Sequence, residues 1–205
     1  MGGSPTLSRA TEVNMVNDST PPRDAAVAGH GEGSCPTLAS LRLERVRNAD
    51  HELLTTLETY DQEAFGATGL RIYDLAVMAE AGAVFVARLG EEIVGGCQVM
   101  RMLDEPDFFY VVGFYIRPQW QGRHLGSELL RLLGEESRRL GAAGLMLTVA
   151  PENHKALSLY RRHGFVEERF VPHFYGKKED RHILRWSFSR DHADSGSRGD
   201  LPGSV

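Results

Sequence analysis

Apolar and polar residues alternate through "LRLERVR" (Leu41 to Arg47), a period of two that predicts a half-buried strand. The period changes in "HELLTTLETYDQEAF", where apolar positions recur every three or four residues and Asn48 or Asp50 can cap a helix. "GATG" breaks that helix, and a second short one is predicted over about Tyr73 to Glu80. Two alternating runs in "AVFVARLGEEIVGGCQVMRML" flank Gly90 and Glu91 and predict a β-hairpin. After the acidic turn "DEPD" come an aromatic, β-branched strand (Phe108 to Ile116) and an amphipathic helix. Strand "GLMLTVA", helix "NHKALSLYRRHG", strand "VEERFVP", an aromatic loop and a last strand "RHILRWSF" complete the series. The order β-α-α-β-β-β-α-β-α-β-β implies an α/β (α+β) fold, a mixed sheet with helices on its faces, and not an alternating Rossmann pattern.

Both ends lack either period. Residues 1–38 and 190–205, rich in Gly, Ser, Asp and Pro, read as a disordered leader and tail around one folded domain at 39–189. A net charge of −5 over 205 residues argues against wholesale nucleic-acid binding, yet leaves room for a local basic patch around a phosphorylated ligand. Cys35 and Cys97 are far apart and form no C-x-x-C, so neither a disulfide framework nor a structural metal is expected. His154, His163, His173 and His182 fall on different elements and make a poor metal set. Without a run of roughly 18 apolar residues, a cytoplasmic protein off the membrane is expected.

The chemistry concentrates where the strand ending at Ile116 gives way to a helix. The first N–H groups of a helix have no carbonyl partners and its dipole presents partial positive charge there, so an anion is the natural occupant. Gly122 and Gly126 let the backbone approach closely, while Gln121 and Arg123 add donors, an arrangement suited to a pyrophosphate. Neither a Walker loop nor a Rossmann G-x-G-x-x-G is present. The alternative on these residues alone is an ordinary strand-to-helix turn.

Together, "RPQWQGRHLGSELL" and "NHKALSLYRRHGF" resemble the two signature segments of the GNAT superfamily of acetyl-CoA-dependent N-acyltransferases, and the likeness extends over about Leu41 to Phe188. The resemblance implies a mostly antiparallel central sheet splayed between its fourth and fifth strands, which admits the pantetheine arm. It assigns that arm and the acetyl group to the backbone of Phe114, Tyr115 and Ile116. The pyrophosphate falls to Gln121, Gly122, Arg123, His124, Leu125, Gly126 and Ser127. Asn153 would touch the cofactor and Tyr160 would protonate the leaving thiolate. The implied activity is direct transfer of acetyl from acetyl-CoA to a primary amine, a peptide N-terminus or a small molecule, with no metal, no nucleic acid and a monomer or homodimer. A catalytically silent CoA sensor or scaffold and a nucleotide-phosphate binder are the competing readings.

Two departures from the family pattern stand out. His124 replaces the middle glycine of the phosphate turn, where a helical backbone would still offer its N–H. Tyr110 and Thr148 occupy the slots in which many relatives carry a Glu base. Deprotonation then falls to water leading to Glu152, Asp61, Glu63 or His173, or the amine arrives neutral. For the acceptor, Tyr60, Asp61, Glu63, Tyr110, Phe174 and Tyr175 offer aromatics beside carboxylates, the alternative being core aromatics with a solvated acidic rim. "FYGKKEDRHIL" is similar to a loop of protein N-terminal acetyltransferases, although Thr148 counts against that identity. Lys155, Arg161 and Arg162 read as a solvated helix face or as partners of the adenosine 3′-phosphate, and Cys97 as a small buried hydrophobe.

Overall fold

The alternating runs become a seven-stranded sheet in the computed structural model, which describes residues 41–47 and 50–188. The expected leader and tail, and the cap candidate Asn48, lie outside those residues. The strands are β1 (Leu41–Arg45), β2 (Ala83–Leu89), β3 (Glu92–Arg101), β4 (Phe108–Ile116), β5 (Gly144–Val149), β6 (Val166–Val171) and β7 (Arg181–Ser187). The helices are α1 (His51–Phe65), α2 (Ile72–Ala81), α3 (Leu125–Arg139) and α4 (His154–Arg162). Sheet order is β1-β2-β3-β4-β5-β7-β6, antiparallel throughout except at the parallel β4–β5 pair. The mixed, mostly antiparallel sheet flanked by helices is thus as expected.

Asp50 is the cap that starts α1: its Oδ1 accepts from the N–H groups of Glu52 (3.0 Å) and Leu53 (3.3 Å), two donors with no intrahelical partner. Leu54, Leu57 and Phe65 then share the buried stripe of α1; Leu54 and Leu57, with α2, cover Val84 and Val86 on one face of the sheet, and Phe65 meets Tyr115 of β4 edge-on. On the other face Leu129, Leu130 and Leu133 of α3 and Ala156, Leu157 and Tyr160 of α4 join Phe85, Phe114, Leu145 and Leu147. Central strand β2 is therefore apolar on both sides, with Phe85 facing one helix layer and Val86 the other.

The sheet opens at its centre. β4 and β5 pair only at Phe108↔Gly144, Phe109↔Leu145 and Tyr110↔Met146, although both strands run on. Past this point β4 remains paired to β3 alone, with one extra residue, Val112, inserted between the partners of Gln98 and Val99. The bulge bends β4 away from β5, and the expected splay between the fourth and fifth strands is present.

Candidate active site

Between β4 and α3 the chain makes a short 3₁₀ turn, Pro118–Trp120, and Gln121 Nε2 donates to the Ile116 carbonyl at 2.9 Å, tying the turn to the strand end. Gly122 (φ 74°) and His124 (φ 60°, ψ 8°) are left-handed, with Arg123 between them not so. His124 is therefore not helical, contrary to expectation; α3 begins only at Leu125, and the chain must reverse its curl to enter it. Histidine tolerates this region better than a β-branched residue would, at some cost in strain. Alternation of hand curls successive N–H groups towards one side, and among the described residues no backbone carbonyl accepts from the N–H groups of residues 122–126. Such a concavity at a helix start binds anions. His124→Gly is expected to stabilise the full chain by up to about 1 kcal/mol in urea unfolding, because relief of strain outweighs the added freedom of the unfolded chain, whereas His124→Val should destabilise it by more than about 1 kcal/mol.

A cavity of about 260 Å³ opens beside this turn. Its apolar walls are Ile116, Trp120, Leu125 and Leu159, and Gly126 and Ser127 belong to its floor. His124, His154, Lys155 and Arg162 bring basic groups, and no carboxylate lines it. The N-terminal part of α4, which sequence could equally have left as a solvated face, is one wall. Arg123 does not line the cavity; its guanidinium lies 4.8 Å from the Trp120 ring centre.

Asn153 caps α4, accepting from Ala156 N–H at 3.1 Å, and so sets the helix that carries Tyr160. The Tyr160 ring packs between Phe114 (6.4 Å between centroids) and Phe165 (5.3 Å), wholly buried. Its hydroxyl has no hydrogen-bond partner, a costly state for a buried polar atom. Burial pushes its pKa up, and burial likewise pushes up the thiol of Cys97, which lies buried opposite Phe114 on β3.

The residues expected on the acceptor side separate into three places. Tyr60 and Glu63 are both engaged by Arg117, whose guanidinium sits 3.6 Å from the Tyr60 ring centre and 3.3 Å from a Glu63 oxygen. Asp61 lies in the interior, not on an acidic rim: Oδ1 accepts from Leu70 N–H (2.6 Å) and Oδ2 from Gln98 Nε2 (3.2 Å). The physical reason is position, since Asp61 falls on the same stripe of α1 as Leu54, Leu57 and Phe65. Tyr110, Thr148 and Tyr175 do converge: Thr148 Oγ1 is 3.2 Å from each phenol oxygen, just where β4 and β5 part. Phe174 stacks edge-on against Tyr175 at 4.6 Å.

Burial raises the Asp61 pKa to about 7, outweighing its two hydrogen bonds. With the folded value above the unfolded one, the folded state holds the extra proton between about pH 4 and 7, so this group's contribution to stability is fullest at low pH and is lost as pH rises through 7. Asp61→Asn keeps the shape without the charge, and a flipped Gln98 amide would let its partnerless Oε1 accept from the new amide. The variant is expected to gain roughly 1–2 kcal/mol on the wild type between pH 5 and 7.5 in denaturant titrations. Parallel pH profiles for the two proteins would contradict this.

The profile of the Acetyltransferase (GNAT) family matches residues 44–165, well over half the chain. The chain belongs to the GNAT acetyltransferase family. An IAA acetyltransferase of Azospirillum brasilense is 24% identical over 132 residues, covering 64% of this chain and 86% of that protein. Among solved structures, the ribosomal-protein-S18-alanine N-acetyltransferase of Escherichia coli superposes with a TM-score of 0.63 at 22% identity, covering 77% of this chain and 99% of that one. The spermidine/spermine N-acetyltransferase of Vibrio cholerae superposes with a TM-score of 0.59 at 20% identity, covering 73% and 94%. Both show the shared fold.

This GNAT acetyltransferase is an enzyme of a family that uses acetyl-CoA, and its residues fit that molecule on three counts. Unbonded N–H groups and a basic, carboxylate-free cavity suit a pyrophosphate; the open edge of β4 suits an amide-bearing arm; and a buried phenol without a hydrogen-bond partner packs on Phe114 of that strand. No helix among the described residues is long and apolar enough to cross a membrane. Sequence reasoning passed over Trp120, Ser158 and Leu159 as cavity residues. Spacing from Asn153 could have found Ser158 and Leu159, since Ser158 shares a helix face with His154, Lys155 and Arg162.

Proposed function

We propose that this acetyltransferase moves acetyl from acetyl-CoA directly to the nitrogen of a primary amine, with Tyr160 as general acid. The observation that carries the reading is the wholly buried, partnerless Tyr160 hydroxyl, placed by the helix that Asn153 caps and facing the sheet beside the splay. Bound acetyl-CoA supplies a thioester carbonyl and a thiolate leaving group. The N–H groups of residues 122–126 and the side-chain donors of His154, Lys155 and Arg162 hold its phosphates, and the open edge of β4 from Gly113 to Ile116 takes the pantetheine amides. A backbone N–H near Ile116 stabilises charge on the carbonyl oxygen. Tyr160 then gives its proton to sulfur. Burial raises its pKa and so keeps the phenol protonated until the thiolate forms beside it.

No carboxylate stands at Tyr110 or Thr148, so the amine is proposed to react in its neutral form, oriented by the hydroxyls of Tyr110, Thr148 and Tyr175, and to lose its proton to solvent. Two of the similar proteins are named for N-acetylation, of a ribosomal-protein alanine and of spermidine/spermine, which supports amine acceptors as a class without choosing among them. The test is release of free CoA thiol by the full chain with acetyl-CoA and a panel of short peptides, spermidine and small primary amines. Calorimetric CoA binding and thiol release with one acceptor class are expected. CoA binding with no amine-dependent release would overturn the transferase assignment to amines.

A further inference from the structure

Ser127 stands at the third position of α3 and lines the cavity, and its hydroxyl oxygen is 2.6 Å from Nε2 of His163. His163 is the C-cap of α4, its backbone N–H donating to Tyr160 O at 3.0 Å, and its ring meets the edge of Trp186 at 6.5 Å between centroids. Backbone and ring are thus both held, and Nε2 meets the serine from a residue that does not itself line the cavity. Burial, with the neighbouring Arg162 charge, holds the His163 pKa below its usual range, so the ring is neutral at pH 7.

A neutral imidazole has two tautomers, and the serine turns them into two different cavity floors. With hydrogen on Nδ1, Nε2 accepts the Ser127 O–H and leaves only oxygen lone pairs towards the cavity, which repel an anion. With hydrogen on Nε2, the ring donates to Ser127 Oγ and frees the hydroxyl hydrogen to point into the cavity. We propose that His163 is a positioning residue for the anionic end of the acyl donor, donating through Nε2–H to Ser127 so that the Ser127 hydroxyl donates to a pyrophosphate oxygen. The inference rests on the acetyl-CoA reading of the cavity. It couples the last turn of α4, which carries Tyr160, to the first turn of α3, through a side chain that does not itself line the cavity.

Histidine-selective ¹⁵N spectra of the full-length wild type should show His163 as the Nε2–H tautomer when CoA or millimolar inorganic pyrophosphate is bound, with His163→Gln used for assignment. An Nδ1–H tautomer in the CoA complex would overturn the proposal. Calorimetry should show CoA binding weakened about tenfold by His163→Leu, restored to within about threefold by His163→Gln, whose amide can still donate, and weakened no further when Ser127→Ala is added to His163→Leu. A purely structural tie between α3 and α4 predicts instead that His163→Leu lowers the melting temperature while the surviving fold binds CoA as the wild type does. Wild-type protein that does not bind CoA would remove the acetyl-CoA reading itself, whereas wild-type binding with a silent His163→Leu removes only the relay. Should His163→Leu fail to fold, the tautomer in the wild-type complex decides.

Discussion

Tyr160→Phe is expected to lower kcat by about 10²–10⁴ on a confirmed amine acceptor while leaving CoA affinity nearly unchanged. The ring would keep its packing against Phe114 and Phe165, so the pocket retains its shape and only the proton donor goes. Stability should move in the opposite direction from activity. The wild-type hydroxyl is buried without a partner, and removing it should leave the free protein as stable or more stable by about 1 kcal/mol. A gain in melting temperature with a large loss of turnover is the pattern of a polar atom kept for chemistry and not for the fold. The loss should shrink with an acyl donor whose thiol is more acidic, because such a leaving group needs less protonation. Wild-type turnover in the variant would end the acid assignment.

Gly126→Val should weaken CoA binding by at least tenfold, and by about a hundredfold if the pyrophosphate lies against the α3 N-terminus as proposed. Gly126 is buried at the second position of α3 and lines the cavity, so a branched Cβ there occupies the space in which the phosphates approach the N–H groups. The backbone at this position is helical, where Val is a better helix former than Gly, so the free protein should fold normally. Calorimetry with CoA decides it: unchanged affinity alongside a normal melt would take the turn out of the site.

Most of the fold was legible because each element announces its own period. The hairpin around Gly90, the aromatic β4 and the two signature helices fall close to where alternation and helical spacing put them. The splay was not legible from the residues, since β4 and β5 are mostly apolar both where they pair and where they do not; only the family likeness pointed to it. His124 shows a different limit. The glycine that the family pattern carries at this position was the available sign of left-handed backbone, and a helical reading of His124 passed over it. The burial of Asp61 could have been read from the stripe of Leu54, Leu57 and Phe65 that passes through it, but its charge suggested an exposed place. The Ser127–His163 contact joins residues 36 apart on two helices, and no local pattern encodes such a pair.

Among the described residues, three residue pairs join β4 to β5, and one further backbone bond, from Ala143 N–H to the Asp107 carbonyl at 2.6 Å, extends the junction beyond the strands. On the proposed reading, the pantetheine arm would stand where that pairing is missing. Whatever fills the gap adds its binding free energy to the folded state alone, in proportion to the logarithm of its concentration over its Kd. Resistance of the purified protein to proteases and heat is then expected to rise with the concentration of CoA or acetyl-CoA added to it.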